Sequence, residues 1–567
     1  MNTFNFRKYT RSDRVTMSTR RWPDRQIETA PRWCSVDLRD GNQALPTPMN
    51  IAQKRKLFTQ LVAIGFKEIE VGFPAASQPD FDFVRALIDE NLIPADVTIQ
   101  VLMQAREDII ARSFEALRGA SRATMHLYNS VSPAQRKYVF NSDRDGVRSI
   151  AEQGARWIKQ YAASQSDTQW TFQYSPESFT QTELDFARDI CTAVCDIWRP
   201  DSGQAVTINL PSTVEVHTPN VFADRIEWFN DNFRYRKHVQ LSVHTHNDRG
   251  CAVASAELAV LAGADRVEGT LLGNGERTGN MDIVTMAMNM YSQGIDPQLD
   301  FIHMAEIVRC VEECTEIPTH ARHPWVGELV YTAFSGSHQD AIRKGLQQWK
   351  PEHAWDVPYL PIDPQDIGRS YEAVVRVNSQ SGKGGVAFML EREFGLQLPR
   401  ALQIEFSRCV QQLSEQIDGE VSATQIHQLF EQRYMHRREP WQIQQYQIYT
   451  RDIDRVALHA ELLHANGGTA IFNGEGHGTL EAAVAALRSI SRSALEIIDY
   501  HEHAIQHGAT MPNTTDGTKA KAACYVHIAI GDEKHWGVGI AEDTVRAALD
   551  ALLSAINVAV VKIEAAA

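Results

Sequence analysis

The sequence predicts an α/β protein: a (β/α)8 TIM barrel, then helical linker subdomains, then a C-terminal α+β domain. Three observations carry this prediction. Eight short β-rich runs alternate with longer amphipathic stretches between Arg32 and about Gln293. Polar residues able to do chemistry gather where those runs end. The alternation stops after about residue 295, and a new β-rich pattern begins near Tyr446.

The strand candidates are Trp33–Arg39, Lys67–Phe73, Val97–Met103, Ala123–Asn129, Trp170–Glu177, Ala205–Pro211, Val239–His246 and Arg266–Gly273. Amphipathic stretches such as Ile51–Ile64, Glu107–Leu117, Leu184–Ile197 and Ala252–Leu261 separate them. Eight units over about 260 residues match a closed barrel. An open doubly wound sheet is the alternative, disfavoured because no G-x-G-x-x-G follows the first run. In a barrel the chemistry sits where strands pass into βα loops. Arg39 and Asp40 follow the first run, and Glu70 lies near the end of the second. His126 is late in the fourth, Glu177 ends the fifth, and Thr213 follows the sixth. His244 and His246 end the seventh, and Asn274 and Glu276 follow the eighth.

Residues 300–440 mix helices with loops rich in Pro, Gly and His. Beyond them, Ile448–Leu458, Thr469–Asn473, Leu495–His501, Ala522–Ile530 and His535–Ala541 read as strands. Thr479–Ile490 and the Ala-rich Asp543–Val560 read as helices. The pattern suggests a duplicated ββα unit. The expected parts are an extension (1–30), the barrel (31–310), linker subdomains (311–440) and a C-terminal domain (441–567).

The chain has 567 residues, 43 % of them apolar, and a net charge of −15. Such an acidic protein offers no general basic face for nucleic acid. Its longest apolar runs fall short of the ~20 residues that span a bilayer, so no membrane partner is expected. The stretch from Met1 to Pro23 is basic and polar, without a signal-peptide core. The eight cysteines include no C-x-x-C pair. Cys191/Cys195 and Cys310/Cys314, spaced i, i+4, are expected as buried helix thiols, and a reducing cytoplasmic location fits them.

The most informative run is His244-Thr-His246-Asn-Asp248. Residues i and i+2 of a strand share a face, so two imidazoles project together, as a divalent metal requires. Asp40 is the natural third ligand, leaving positions open for substrate oxygens. Mg2+, Mn2+ and Zn2+ all suit an Asp/His/His set. A metal holding a 2-keto acid through its carboxylate and ketone oxygens polarises the ketone, and Arg39 adds charge beside the developing alkoxide. The carbon nucleophile then comes from an acidic α-CH such as that of a thioester. His338 and Glu177 are candidates for the base or its orienting partner. Ser381-Gly-Lys-Gly-Gly385 lacks the complete phosphate-loop pattern. Gly474-Glu-Gly-His-Gly478, leading into a helix, reads as a tight turn.

Leu38-Arg39-Asp40-Gly41-Asn42-Gln43 resembles the first signature of the 2-isopropylmalate, homocitrate and citramalate synthase family. His244-Thr-His246-Asn-Asp248-Arg-Gly250, continuing to Gly273-Asn-Gly275-Glu276-Arg277-Thr-Gly279-Asn280, resembles the second. Ser335-Gly-Ser-His338-Gln-Asp340 and Asp366-Ile-Gly-Arg-Ser-Tyr371 through Gly385 are similar to the longer bacterial 2-isopropylmalate synthases. The resemblance implies condensation of acetyl-CoA with 2-oxoisovalerate in leucine biosynthesis. The sister activities on pyruvate or 2-oxoglutarate are the alternatives, and a catalytically dead leucine-binding protein is the reading from another class.

By the same resemblance Asp40, His244, His246 and Asn280 ligate the metal. Arg39, His126, Glu177 and Thr213 surround the keto acid, and Glu276, His338 and Tyr371 serve the acetyl-CoA half. Since His338 and Tyr371 lie outside the barrel, the linker would have to fold over a barrel mouth. The family is dimeric with a C-terminal leucine-binding regulatory domain. That implies a homodimer and places leucine near Gly474, Gly476 and Gly478 and near Gly537 and Gly539.

Overall fold

The computed structural model describes residues 8, 14–333, 335–369, 371, 383–417, 421–435, 437, 439–452, 454–491, 494–505 and 521–566. They form two compact units, Met1–Val330 with Pro364–Arg369, and Tyr331–Asp363 with Ser370–Ala567.

The first unit holds eight parallel strands: β1 (Arg32–Ser35), β2 (Glu68–Gly72), β3 (Thr98–Gln104), β4 (Arg122–Ser130), β5 (Gln169–Glu177), β6 (Ala205–Ser212), β7 (Gln240–Thr245) and β8 (Arg266–Gly269). They pair in sequence order and close through β1 and β8. The helices arise from ordinary local signals. Ile51–Ile64 begins with a capping box between Asn50 and Gln53. It ends at Gly65, whose φ of 111° only glycine adopts without cost.

The strands alternate strictly. Ile69, Val71, Ile99, Val101, Met125, Leu127, Ile208, Leu241, Val243 and Val267 form the buried apolar set. Between them Glu68, Glu70, Gln100, His126, Gln173, Asn209, Ser242, His244, Arg266 and Glu268 are buried as well, and they hydrogen-bond to one another across the barrel. The second set therefore fills the bore.

The strand predictions hold for all eight, with two shortened. β1 stops at Ser35, and Asp37–Gly41 coil into a single π-helical turn. β8 stops at Gly269, ahead of a loop whose Asn280 pairs with His246.

In the second unit the helices Lys383–Phe394, Arg400–Ile417 and Ala423–Phe430 precede two three-stranded antiparallel sheets. The first comprises β9 (Trp441–Asp452), β10 (Arg455–His464) and β11 (Thr469–Gly476), and is followed by the helix Thr479–Ser491. The second comprises β12 (Leu495–Ile505), β13 (Lys521–Ile530) and β14 (Glu533–Ala541), and is followed by the helix Thr544–Ala566. The duplication is thus βββα rather than ββα. The single run expected over Ile448–Leu458 is a hairpin, because β9 and β10 pair antiparallel through it.

Leu458 and Leu462 of β10, Cys524, Val526 and Ile528 of β13, and both helices share one apolar core. The opposite face of the second sheet, with Tyr525, Trp536 and Val538, packs on Leu390, Phe406 and Phe430 of the preceding helices. The stretch Thr544–Val561 is long and apolar enough to cross a membrane, contrary to the reading of short apolar runs, yet 67 % of it is buried within the protein. Cys191, Cys195, Cys310 and Cys314 are buried free thiols, as expected.

The glycines read as a turn belong instead to sheet–helix contacts. Gly474 and Gly476 lie inside β11. A Cβ on Gly474 would stand 2.1 Å from the Ala482 carbonyl oxygen, and one on Gly537 would stand 2.0 Å from that of Ala551. One on Gly539 would stand 2.1 Å from the Ala547 carbonyl oxygen. Both helices thus lie directly on backbone. Gly537→Ala is expected to lower the stability of this unit by about 1–3 kcal/mol in chemical denaturation. Gly478→Ala, where nothing lies within 4 Å, adds no such packing cost. Equal stability of the two variants would contradict this packing.

Candidate metal centre and keto-acid pocket

At the C-terminal end of the barrel a cavity of about 280 Å³ is lined by Arg39, Asp40, His126, Glu177, Thr213, His244, His246 and Glu276. All eight are sequence-predicted site residues. Leu102 and Pro211 add apolar wall.

Asp40, His244 and His246 form the one cluster among the described residues whose ligand atoms all lie within 4.8 Å of one another. The His244 Nε2 and His246 Nε2 atoms stand 3.4 and 3.5 Å from Asp40 Oδ2. Ligand atoms about 2.1 Å from a shared ion lie about 3.0–3.5 Å apart. Both histidine tautomers are fixed from behind. His244 Nδ1 donates to Glu268 Oε2 (2.9 Å) and His246 Nδ1 donates to the Ser212 carbonyl (3.2 Å). Carboxylate and carbonyl can only accept, so each Nε2 can offer a lone pair to a metal.

Asp40 Oδ2, His246 Nε2 and Asn280 Oδ1 are buried without a hydrogen-bond partner. Unsatisfied buried polar atoms are costly, and Asp40 Oδ2 and His246 Nε2, 3.5 Å apart, call for a cation between them. Asn280 is aimed by its own loop. It pairs with His246 along the backbone and spends its Nδ2 on the Asn274 carbonyl (3.0 Å), leaving Oδ1 over. The residues present therefore fit a divalent metal.

Arg39 projects from the π-helical turn. Its Nη1 donates to Asp40 Oδ1 (2.7 Å) and its Nε donates to Glu70. Burial opposes ionisation of both acids. Arg39 together with His126 at Glu70, and with His244 and His246 at Asp40, outweighs it, holding Glu70 down to about 2 and Asp40 well below the usual range. Burial likewise works against a charged His244, but the adjacent carboxylates of Asp40 and Glu268 push it up to about 9 in the absence of a metal.

The other predicted residues have definite partners. His126 Nδ1 meets Glu70 Oε2 at 2.6 Å and its Nε2 meets Ser175 Oγ at 2.7 Å, so both nitrogens are held within the wall. Glu177 accepts from Ser130, and Glu276 accepts from Gln43 Nε2 at 3.0 Å. The Thr213 hydroxyl accepts the backbone N–H of Ser178 at 2.8 Å, which has a φ of 65°. Thr213 thus pins the strained step that turns the chain after Glu177.

Arg277 donates to both Asp248 oxygens (2.6 and 3.1 Å) and to the Thr213 carbonyl (2.7 Å). Asp248 also accepts the Glu215 N–H (2.9 Å), which ties together the loops after β6, β7 and β8. His338 and Tyr371 belong to the second unit. Residues 372–382, including part of the Ser381–Gly385 run, lie outside the described residues.

With this geometry in place, relatives become informative. Residues 30–311 match the HMGL-like family, 328–391 the "Alpha-isopropylmalate synthase, post-catalytic domain-like" family, and 420–560 the "LeuA allosteric (dimerisation) domain". A protein of Pseudomonas savastanoi pv. phaseolicola named 2-isopropylmalate synthase is 53 % identical over 552 residues, 97 % of each chain. One of the same name from Clostridium acetobutylicum is 49 % identical over 562 residues, 97 % of this chain and 99 % of the other.

The chain belongs to the 2-isopropylmalate synthase family.

The residues that the sequence did not single out are Ser175 and Asn209 in the cavity wall and Gln100, Gln173, Arg266 and Glu268 beneath it. Their signal was present as polar residues at every second position of otherwise apolar strands. Asp40→Asn removes one charge from the centre. It should weaken divalent-metal binding by at least about tenfold in calorimetry, with the far-ultraviolet circular dichroism retained. Unchanged affinity would remove Asp40 from the ligand set.

Proposed function

We propose that this protein is an acyltransferase that condenses acetyl-CoA with 2-oxoisovalerate and water, giving 2-isopropylmalate and CoA at the entry to leucine biosynthesis. The observation that carries the reading is the convergence of Asp40, His244 and His246 beside Arg39 in one barrel mouth, with Asn280 on the backbone bridge to His246. A divalent cation bound there supplies Lewis-acid polarisation of the keto-acid carbonyl.

The chain's own residues do the rest. Arg39, held by two carboxylates, faces the developing alkoxide with N–H groups that carry no further hydrogen bond among the described residues. Leu102 and Pro211 offer apolar contact for a branched alkyl group. The distal carboxylate of 2-oxoglutarate would want a free cation, but the remaining cationic lining residue, Arg277, is committed to Asp248. Removal of the acetyl proton falls to a base, for which His338 and Glu177 are the candidates, one as base and the other as its orienting partner, with Tyr371 and Glu276 serving the same half of the reaction. The sequence similarity of the 2-isopropylmalate synthases over nearly the whole chain supports these roles.

Purified protein should release free CoA thiol from acetyl-CoA with 2-oxoisovalerate, faster than with pyruvate or 2-oxoglutarate, and chelation should abolish the release. Arg39→Ala should cut kcat by about 10²–10³. Absence of thiol release in the presence of divalent cation would defeat the proposal. A preference for another keto acid would move it to a sister activity.

The C-terminal domain match supports a homodimer inhibited by leucine. Calorimetry should detect leucine binding, and the thiol assay should show inhibition. Binding without any catalysis would favour a purely regulatory protein.

A further inference from the structure

Glu268 does not line the pocket and is not itself a predicted ligand, and it is fully buried in the bore. Its two oxygens have different partners. Oε1 accepts from Arg266 Nη1 (2.7 Å), Gln173 Nε2 (2.7 Å) and Gln100 Nε2 (3.4 Å). Oε2 accepts from His244 Nδ1 (2.9 Å) and Asn209 Nδ2 (3.2 Å). The arrangement follows from register, since His244 on β7 stands directly opposite Glu268 on β8. Arg266 lies two residues earlier on the same face of β8 and is itself anchored by Glu68 Oε2 (2.6 Å), Ser242 Oγ (2.8 Å) and Gln100 Oε1 (3.1 Å).

We propose that Glu268 is a positioning residue for the metal centre: it holds His244 in the Nδ1–H tautomer and fixed ring plane that direct Nε2 toward Asp40 and His246, and so sets the affinity of the site for a divalent cation. The inference rests on the reading of Asp40, His244 and His246 as a metal site. The carboxylate cannot turn away, because five donors from five strands hold it. Nor can an amide replace it without conflict. If its oxygen faced His244, its NH2 group would point at the Arg266 and Gln173 donors. If reversed, the NH2 group would face His244 Nδ1 and favour the tautomer that protonates Nε2. Glu68 supplies a natural control, being a buried carboxylate that contacts Arg266 but not His244.

The test is Mn2+ affinity of the metal-free full-length protein, read from the electron paramagnetic resonance of free ion, with thermal denaturation alongside. Glu268→Gln is expected to raise Kd by about 10–100-fold. Glu68→Gln is expected to lower the thermal midpoint while leaving Kd within about threefold, since it unloads Arg266 and Arg32 but not His244. If Glu268→Gln does not fold, Glu268→Asp keeps the charge beside Arg266 while withdrawing it from His244, and the same loss of affinity is expected.

Equal Kd in wild type and the Glu268 variants, or an equal loss in Glu68→Gln, would overturn the proposal. Failure of the wild type to bind Mn2+ or Zn2+ would instead overturn the metal-site reading. Independently of any variant, long-range 1H–15N spectra of the Zn2+-loaded wild type should show His244 protonated at Nδ1. A proton on Nε2 would overturn the proposal.

Discussion

A (β/α)8 barrel ordinarily fills its bore with branched aliphatic side chains. Here Glu68, Glu70, Glu268 and Arg266 are buried there, and the structure depends on their mutual pairing. An ion in such a place is tolerable only when charged partners and hydrogen bonds replace its water. Arg266 does this for Glu68 and Glu268, and Gln100 donates to Glu70 (2.5 Å) while accepting from Arg266. Burial works against the charged form of Glu268. Arg266 together with His244 and His126 outweighs it and holds the carboxyl far below its ordinary range. The buried carboxylates of Glu68, Glu70, Glu268 and Asp40 outnumber the guanidinium groups of the buried Arg266 and the partly buried Arg39. The imbalance lies toward the mouth, where Asp40 Oδ2 has no hydrogen-bond partner.

This underlying layer ties orientation to chemistry. Glu70 holds Arg39 and His126, and Glu268 holds His244. The groups facing the substrate are thus fixed before it arrives, and preorganised charge of this kind contributes most to transition-state stabilisation. The loops above are tied just as firmly. The Arg277–Asp248 pair joins three of them, and the Thr213 hydroxyl holds the strained Ser178.

The barrel and its mouth were legible because hydrophobic alternation and polar strand ends are local signals. His244 and His246 need only the two-residue period of a strand to be placed together. What lay hidden was of two kinds. The roles of Glu268 and Gln173 depend on cross-strand register over a long sequence separation, which no local pattern encodes. The first strand ends early because Asp37 accepts the Leu271 N–H from the other end of the barrel sequence, where β8 ends. In the C-terminal region, Gly474 and Gly476 looked like turn glycines because a turn and a close helix–sheet contact ask for the same missing Cβ. Only packing against Ala482 and Ala486 distinguishes them.

The central claim is that Asp40, His244, His246 and Asn280 hold one divalent cation in front of Arg39. Anomalous diffraction from a crystal soaked in Mn2+ tests it most directly. The account predicts a single strong anomalous peak in the barrel mouth, bonded to Asp40, His244 Nε2 and His246 Nε2 with Asn280 Oδ1 adjacent. A Mn2+ ion bound elsewhere, or an empty mouth in crystals where catalytic activity persists, would contradict it.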